Sequence, residues 1–436
     1  MSRLSPDYAA AYPLLVDAEL HHTPDNRFLL LVSGRVFLIG ELLYRIIDQL
    51  RQGYSLADIC AGYHPHGSDP LHLRETDIDL VLRKYLVPAG KNAPKVSSYL
   101  HTRFDLVGER GLQRLYTPLL WLFSPWLMGS MLLGCALLTT LFFRVWGVFL
   151  LGLASEKMVI CTIVAYLAMV GGIFFHEVGH ATAAARFGVA PKAIGFGFYL
   201  IFPVFYTDVT NVWKLDKRQR IIVNLAGVYF QLLFSVALIG MFYLVPAAND
   251  LGRTVTGTVL SMNVFVVLYS LNPFLRNDGY WVYSDFFEIP NLMSRSLLYP
   301  WRFFRLVAPD RGIPTSTSFA RTLPLLGYSV GNYALFLYLA WLLAHYTSHS
   351  LLPRLVQLMH SSGFPHNLLT ADNSFFLLKT FGLYGFLFYM SLYSLWRNYR
   401  GHRQQRARLA VLDQHAAAAN AAVLLNTTTP LPAMKA

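Results

Sequence analysis

The pentapeptide His176-Glu177-Val178-Gly179-His180 carries the densest chemistry in the chain. Two histidines four residues apart share one face of a helix, so both imidazoles can reach one zinc ion through ring nitrogens. Glu177, next to the first histidine, can act as general base toward a water at that metal. The residues just before it, Gly171 to Phe175, are apolar or glycine. Histidine and glutamate inside such a helix are expensive in lipid and are retained for function. The competing reading is a set of polar residues satisfied by hydrogen bonds in a bundle, and the setting weighs against it.

A catalytic zinc takes three protein ligands and leaves a fourth position open. The segment Asn272-Pro273-Phe274-Leu275-Arg276-Asn277-Asp278-Gly279 closes a later apolar run. Asp278 is the best third ligand there, with Asp208 and Asp285 as alternatives. Taken alone, Asp-Gly is only a turn signal. Beside a two-histidine helix that lacks a third ligand, the metal reading prevails.

Such a site needs a scaffold. The chain has 436 residues, 55% hydrophobic and 14% charged, against about 25% charged in soluble domains, and its mean hydropathy is +0.41. A net charge of +12 would suggest nucleic acid in a soluble protein. Here Lys and Arg fall mostly in short segments between apolar runs, the pattern of membrane orientation. Lipid is therefore an expected partner and nucleic acid is not. Cys60, Cys135 and Cys161 are widely spaced, which argues against a thiolate zinc site or a disulfide framework.

Long apolar segments predict about six membrane-spanning helices, at 118–143, 158–185, 221–246, 255–275, 323–347 and 374–396. Residues 193–212 are apolar but broken by Gly195, Gly197 and Pro203. They read as a re-entrant hairpin beside the site, where protein or water must cover irregular backbone. Residues 280–292 are a second candidate for a dip into the membrane. Basic loops place both termini in the cytoplasm. With no cleavable signal peptide read at Met1–Leu15, the expectation is an integral protein of a bacterial inner membrane.

Residues 1–95 predict a small α+β, winged-helix-like domain. Phe28–Val32 and Val36–Ile39 read as a hairpin. Glu41–Gln52 has a helical period ended by Gly53, Ser55 can cap a second helix, and Thr76 a third through Leu86. Residues 96–117 read as a basic connector, 118–400 as the membrane domain and 401–436 as a disordered tail. The fold class is thus a polytopic α-helical membrane protein with a small N-terminal domain. His345, His349, His360 and His366 read as scattered loop histidines rather than a metal patch.

The His176-Glu177-x-x-His180 helix followed by Asn272-Pro273 and Asp278-Gly279 resembles the site-2 protease family of intramembrane zinc metalloproteases, over roughly residues 158–290. The resemblance implies that Asp278 is the third zinc ligand and Glu177 the catalytic base. It also implies that Asn272 contacts the substrate or the oxyanion. Family members often carry Ala-Gly-Pro and a following Asn in an intervening span; this chain has Ala226-Gly227-Val228 and Gln231. Residues 15–90 resemble the small peptide-recognition domain of pyrroloquinoline-quinone biosynthesis. Such domains add a leader peptide as a strand at a sheet edge, and the fusion suggests the peptide zinc metalloprotease subgroup.

Three functions compete on these grounds. The first is a zinc endopeptidase that cleaves a membrane-associated or exported peptide selected by the N-terminal domain. The second is the same hydrolysis applied to a membrane-spanning regulator. The third is non-enzymatic: peptide export, immunity or metal transport. A transporter should show polar residues along several spans or repeated halves, whereas the ionisable groups here gather at one place.

Overall fold

The N-terminal sheet shows how a simple alternation is used twice. The computed structural model describes residues 6–23, 25–32, 35–62, 74–86, 100–149, 156–199, 202–289, 292–296, 299, 319–360, 373, 380, 384–385 and 429–430. After a short helix α1 (Pro6–Ala11), strands β1 (Glu19–His22), β2 (Phe28–Val32) and β3 (Arg35–Ile39) form an antiparallel meander. Successive strand residues point to opposite faces. Leu30, Val32 and Ile39 enter a core with Ile46, Ile47 and Leu50 from helix α2 (Glu41–Gln52) and Ile78, Val81 and Leu82 from helix α4 (Glu75–Leu86). Leu29 and Val36 face the other way, into the core of the membrane part with Trp213, Ile289 and Leu292. Both faces are covered, which explains the continuous apolar run Phe28–Val32.

The predicted helix signals act as expected at two places and shift at a third. Gly53 takes φ 100° at the end of α2, a left-handed conformation that glycine adopts without steric cost. Ser55 Oγ accepts from the Asp58 backbone N–H at 3.1 Å, capping helix α3 (Leu56–Gly62). The last helix starts at Glu75, so Thr76 lies inside its first turn rather than at its cap. Thr429–Pro430, within the predicted tail, form a short strand β7 against β3.

Residues 96–117, read as a connector, hold strand β4 (Leu100–Gly108) and helix α5 (Glu109–Tyr116). Strand β4 pairs with β5 (Ala193–Tyr199), which pairs with β6 (Phe202–Thr207), giving an antiparallel sheet in the order β4-β5-β6. The broken apolar stretch around 193–212 is therefore a β-hairpin. Gly195 makes room for it, since a Cβ there would lie 2.4 Å from Tyr206 Oη and 2.6 Å from the Phe104 carbonyl. Tyr206 crosses over that glycine to donate to Asp105 Oδ1 at 2.8 Å.

Long apolar stretches form helices because backbone in lipid must satisfy its own hydrogen bonds. Helices α6 (Pro125–Trp146), α7 (Glu156–Arg186), α8 (Lys217–Leu244) and α9 (Asp250–Ser270) build the bundle. The first starts at Pro125, not at 118, because proline lacks an N–H and fits only the first turn; a 3-10 segment, Thr117–Phe123, precedes it. Among the described residues five helical stretches are long and apolar enough to cross a membrane, the fifth being Leu323–His360. The predicted span at 374–396 lies almost wholly outside the described residues. The region read as a second dip contains a short helix, α10 (Asp278–Phe286).

A candidate metal centre in the bundle

Helices α7 and α8 approach closely because their facing positions lack bulk. A Cβ on Gly179 would stand 2.5 Å from the Ala226 carbonyl, and one on Gly172 would stand 2.7 Å from the Phe234 ring. Small residues of this kind let membrane helices bring backbones together. Helix α8 is started by a capping box, with Asp216 Oδ1 accepting from the Gln219 N–H at 2.8 Å. That seating lays Val223 and Gly227 against the histidine face of α7.

His176 and His180 are 5% and 3% exposed, and Asp278 is 2% exposed. His176 Nε2 and His180 Nε2 lie 3.1 Å apart. Asp278 Oδ2 is 3.1 Å from His176 Nε2, and Asp278 Oδ1 is 3.6 Å from His180 Nε2. Tetrahedral zinc with ligands about 2.0–2.1 Å away has ligand–ligand edges of about 3.3 Å. The three distances, which reach the two histidines through different oxygens of the carboxylate, lie on either side of that value. His180 Nδ1 donates to the Val223 carbonyl at 2.7 Å, which leaves the Nε2 lone pair aimed at the other two groups. Two imidazole Nε2 atoms and a carboxylate converging in a buried space fit a divalent cation. This is the one group of three or more metal-ligating side chains found among the described residues.

Gly227 completes the cradle. A Cβ there would lie 2.4 Å from His176 Nε2 and 2.6 Å from His180 Nε2. Gly279 has a related duty: its Cβ would stand 2.1 Å from the Leu271 carbonyl. The Asp278-Gly279 pair thus opens a helix packed hard on the end of α9 instead of forming a turn.

Glu177 is 3% exposed, and its Oε2 accepts from Thr207 Oγ1 at 2.8 Å. The same hydroxyl lies 3.0 Å from the Glu177 carbonyl oxygen. Thr207 is the last residue of β6 and is fully buried, so the hairpin is tied directly to the acidic side chain of α7. Thr207 and Gly227 were not singled out for roles from sequence. A lone threonine carries no spacing signal, and Gly227 was visible only as part of a motif that departs from its family form.

The other sequence candidates sit elsewhere. Asp208 Oδ1 accepts from the Thr210 N–H at 3.1 Å and from its hydroxyl at 2.6 Å, an Asx turn after the hairpin. Asp285 pairs with Arg220 at 2.8 Å. Asn272 Oδ1 accepts from the Phe274 N–H at 2.9 Å, closing the turn at Pro273. Gln231 is fully buried on α8, its carbonyl accepting from Asn263 of α9 at 2.9 Å.

The chain is 30% identical over 131 residues to a Bacillus subtilis (strain 168) protein named "Putative peptide zinc metalloprotease protein YydH". That match covers 29% of this chain and 48% of the relative, so it spans about half of the relative's length. No family model matches the chain, and no solved structure matches it. The chain is thus mostly helical, with five described helical stretches long and apolar enough to cross a membrane, and part of it is similar to a protein named as a putative peptide zinc metalloprotease.

Proposed function

We propose that the protein is a zinc-dependent, membrane-embedded endopeptidase of the site-2 type that hydrolyses a membrane-associated or exported peptide. The observation that carries this reading is the buried convergence of His176, His180 and Asp278 with Glu177 one residue from the first of them. His176 Nε2, His180 Nε2 and one Asp278 carboxylate oxygen would hold the zinc. When bound, zinc supplies Lewis acidity to a carbonyl oxygen and lowers the pKa of a water. Glu177 then takes a proton from the attacking water and returns it to the leaving amine nitrogen. Thr207 holds the Glu177 carboxylate in one orientation during both transfers.

The sheet β4-β5-β6 suggests how a substrate is presented. Strand β6 is an outer strand of that sheet and ends at Thr207. An extended peptide paired along β6 would run toward Glu177, using backbone hydrogen bonds that do not depend on its sequence. The N-terminal domain would select the peptide by binding a leader segment. On this reading the protein sits in a bacterial inner membrane with both termini cytoplasmic.

The test compares zinc content and peptide cleavage of the purified full chain with those of Glu177→Gln. The variant should keep its zinc, since Glu177 is not among the three ligands, and lose on the order of 100- to 10,000-fold in kcat. A wild-type protein without zinc, or a variant that cleaves as fast, would sink the proposal.

A further inference from the structure

Arg220 heads the largest fully buried side chains in the described structure, at 1% exposure. It sits in the first turn of α8. Its Nε donates to Asp285 Oδ1 at 2.8 Å, and Nη1 donates to the Leu215 carbonyl at 2.8 Å. Asn224, one turn along the same helix, donates to Asp285 Oδ2 at 3.2 Å. A buried carboxylate is thus held on both oxygens by α8. Burying a guanidinium is costly unless its donors are met, so these partners fix its place.

The spacing links this cluster to the metal centre. Asp278 and Asp285 are seven residues apart on α10, and Arg220 and Gly227 are seven apart on α8. Seven residues is close to two turns, so each pair lies on one helix face. One pair of positions joins Asp285 to Arg220. The other pair sets Asp278 and Gly227 against the same two histidines. The two helices therefore run antiparallel and are pinned at two points. Helix α10 has only nine residues and no side-chain cap at its start; it cannot define its own position, because so short a helix is marginal without tertiary contacts.

The cluster also receives a contact from outside the bundle. Asp25, in the turn between β1 and β2, lies 3.5 Å from Arg220 Nη1 and 2.9 Å from Arg27 Nε. Arg27 Nη2 donates at 3.3 Å to the Leu215 carbonyl that Arg220 also uses. The docking turn of the N-terminal domain thus shares partners with the residue that anchors α10.

We propose that Arg220 is a positioning residue that couples docking of the N-terminal turn at Asp25 to placement of the Asp278 carboxylate at the metal centre, through Asp285 and helix α10. This rests on the metal reading above for its functional consequence, but the mechanical coupling stands on the contacts alone. A peptide that shifts the N-terminal domain would then alter metal affinity and, through it, activity.

Two readouts on the detergent-solubilised full chain test the coupling. The first is zinc affinity by chelator competition for Asp25→Ala, Asp25→Glu, Arg220→Lys and the Asp25→Ala/Arg220→Lys double variant. Asp25→Ala should weaken zinc about 3- to 10-fold and Arg220→Lys about 10- to 100-fold, as loss of groups that orient a ligand does. The double variant should fall short of the product of the two, because both act through one path. Asp25→Glu, which keeps the carboxylate, should restore most of the affinity. The second readout is hydrogen exchange of the α10 amides in metal-free protein, which should speed up in Asp25→Ala. If Arg220→Lys does not fold, Asp25→Ala decides the matter alone. Zinc affinity within twofold of wild type in Asp25→Ala, with unchanged α10 exchange, overturns the coupling while leaving the metal reading intact. Independent, multiplying effects in the double variant also overturn it. A wild type that binds no zinc would fell the metal reading instead, and the exchange measurement would still judge the coupling.

Discussion

The chain holds two pairs of histidines at the same helical spacing, and they come to different ends. His176 and His180 are buried on α7, with ring centroids 4.7 Å apart and ring planes at 79°. His345 and His349 are exposed, at the end of the helix Phe319–Tyr346 and in the π turn after it, and their rings stack at 4.2 Å and 28°. In the first pair the Nε2 atoms converge on each other and on Asp278. In the second, His349 Nδ1 lies 3.1 Å from the His345 carbonyl and 2.8 Å from Ser348 Oγ. Spacing alone therefore does not make a metal site. A carboxylate from another helix that could be a third ligand, a carbonyl that fixes the tautomer of His180, and space cleared beside the Nε2 atoms separate the two.

Cleared space is the feature easiest to destroy. Gly227→Ala would force a methyl to within 2.4 Å of His176 Nε2 and 2.6 Å of His180 Nε2, ring atoms of buried side chains that close packing leaves little room to move. Zinc affinity should fall on the order of 100-fold or more, beyond what loss of an outer partner costs. The control is Gly240→Ala on the same helix, where a Cβ would meet nothing within 4 Å; it should bind zinc like wild type. Equal affinities for the two variants would mean that the histidine pair on α7 is not where the metal sits.

The parts of this centre that lie on one helix were readable from sequence; the parts joined across the chain were not. His176, Glu177 and His180 share α7, and local spacing is enough to set their common face. Asp278 was reachable because the two-histidine helix lacked a third ligand and a carboxylate closed a later apolar run. Arg220 lies in a basic stretch with Lys214, Lys217 and Arg218, the kind of segment that reads as a membrane-orientation signal, yet it is the buried partner of Asp285. Strand β4 was hidden in a polar stretch because its partner β5 comes some ninety residues later, so nothing local marks the pairing. Its exposed Phe104 and Leu106 blur the alternation further. The N-terminal hairpin was legible in outline, but the burial of its second face against the bundle was not, since a run such as Phe28–Val32 looks the same in a free-standing domain.

A smaller effect separates the acid from the metal. Thr207→Val removes the hydroxyl that donates to Glu177 Oε2 at 2.8 Å while keeping the β-branched shape of the strand. Hydrogen bonds to charged groups contribute roughly 1.5–3 kcal/mol, so kcat should drop by about 10- to 150-fold. Zinc content should not change. A variant that loses zinc in proportion to activity would show that the hairpin supports the ligands, not the base.

The smallest effect is expected at the second histidine pair. His345→Ala/His349→Ala removes two stacked, exposed rings that have no carboxylate converging on them among the described residues. Surface substitutions of this kind change stability by no more than about 0.5 kcal/mol. Zinc stoichiometry should stay at one per chain and cleavage should be unchanged. Exposed imidazoles at this spacing can still collect metal at high concentration, so the measurement belongs at free zinc held low by a chelator, where only a tight site fills. If stoichiometry at tight affinity fell in this variant and held in Gly227→Ala, the comparison would invert. Spacing on an exposed helix would then count for more than burial and a third ligand, and the assignment to α7 would be wrong.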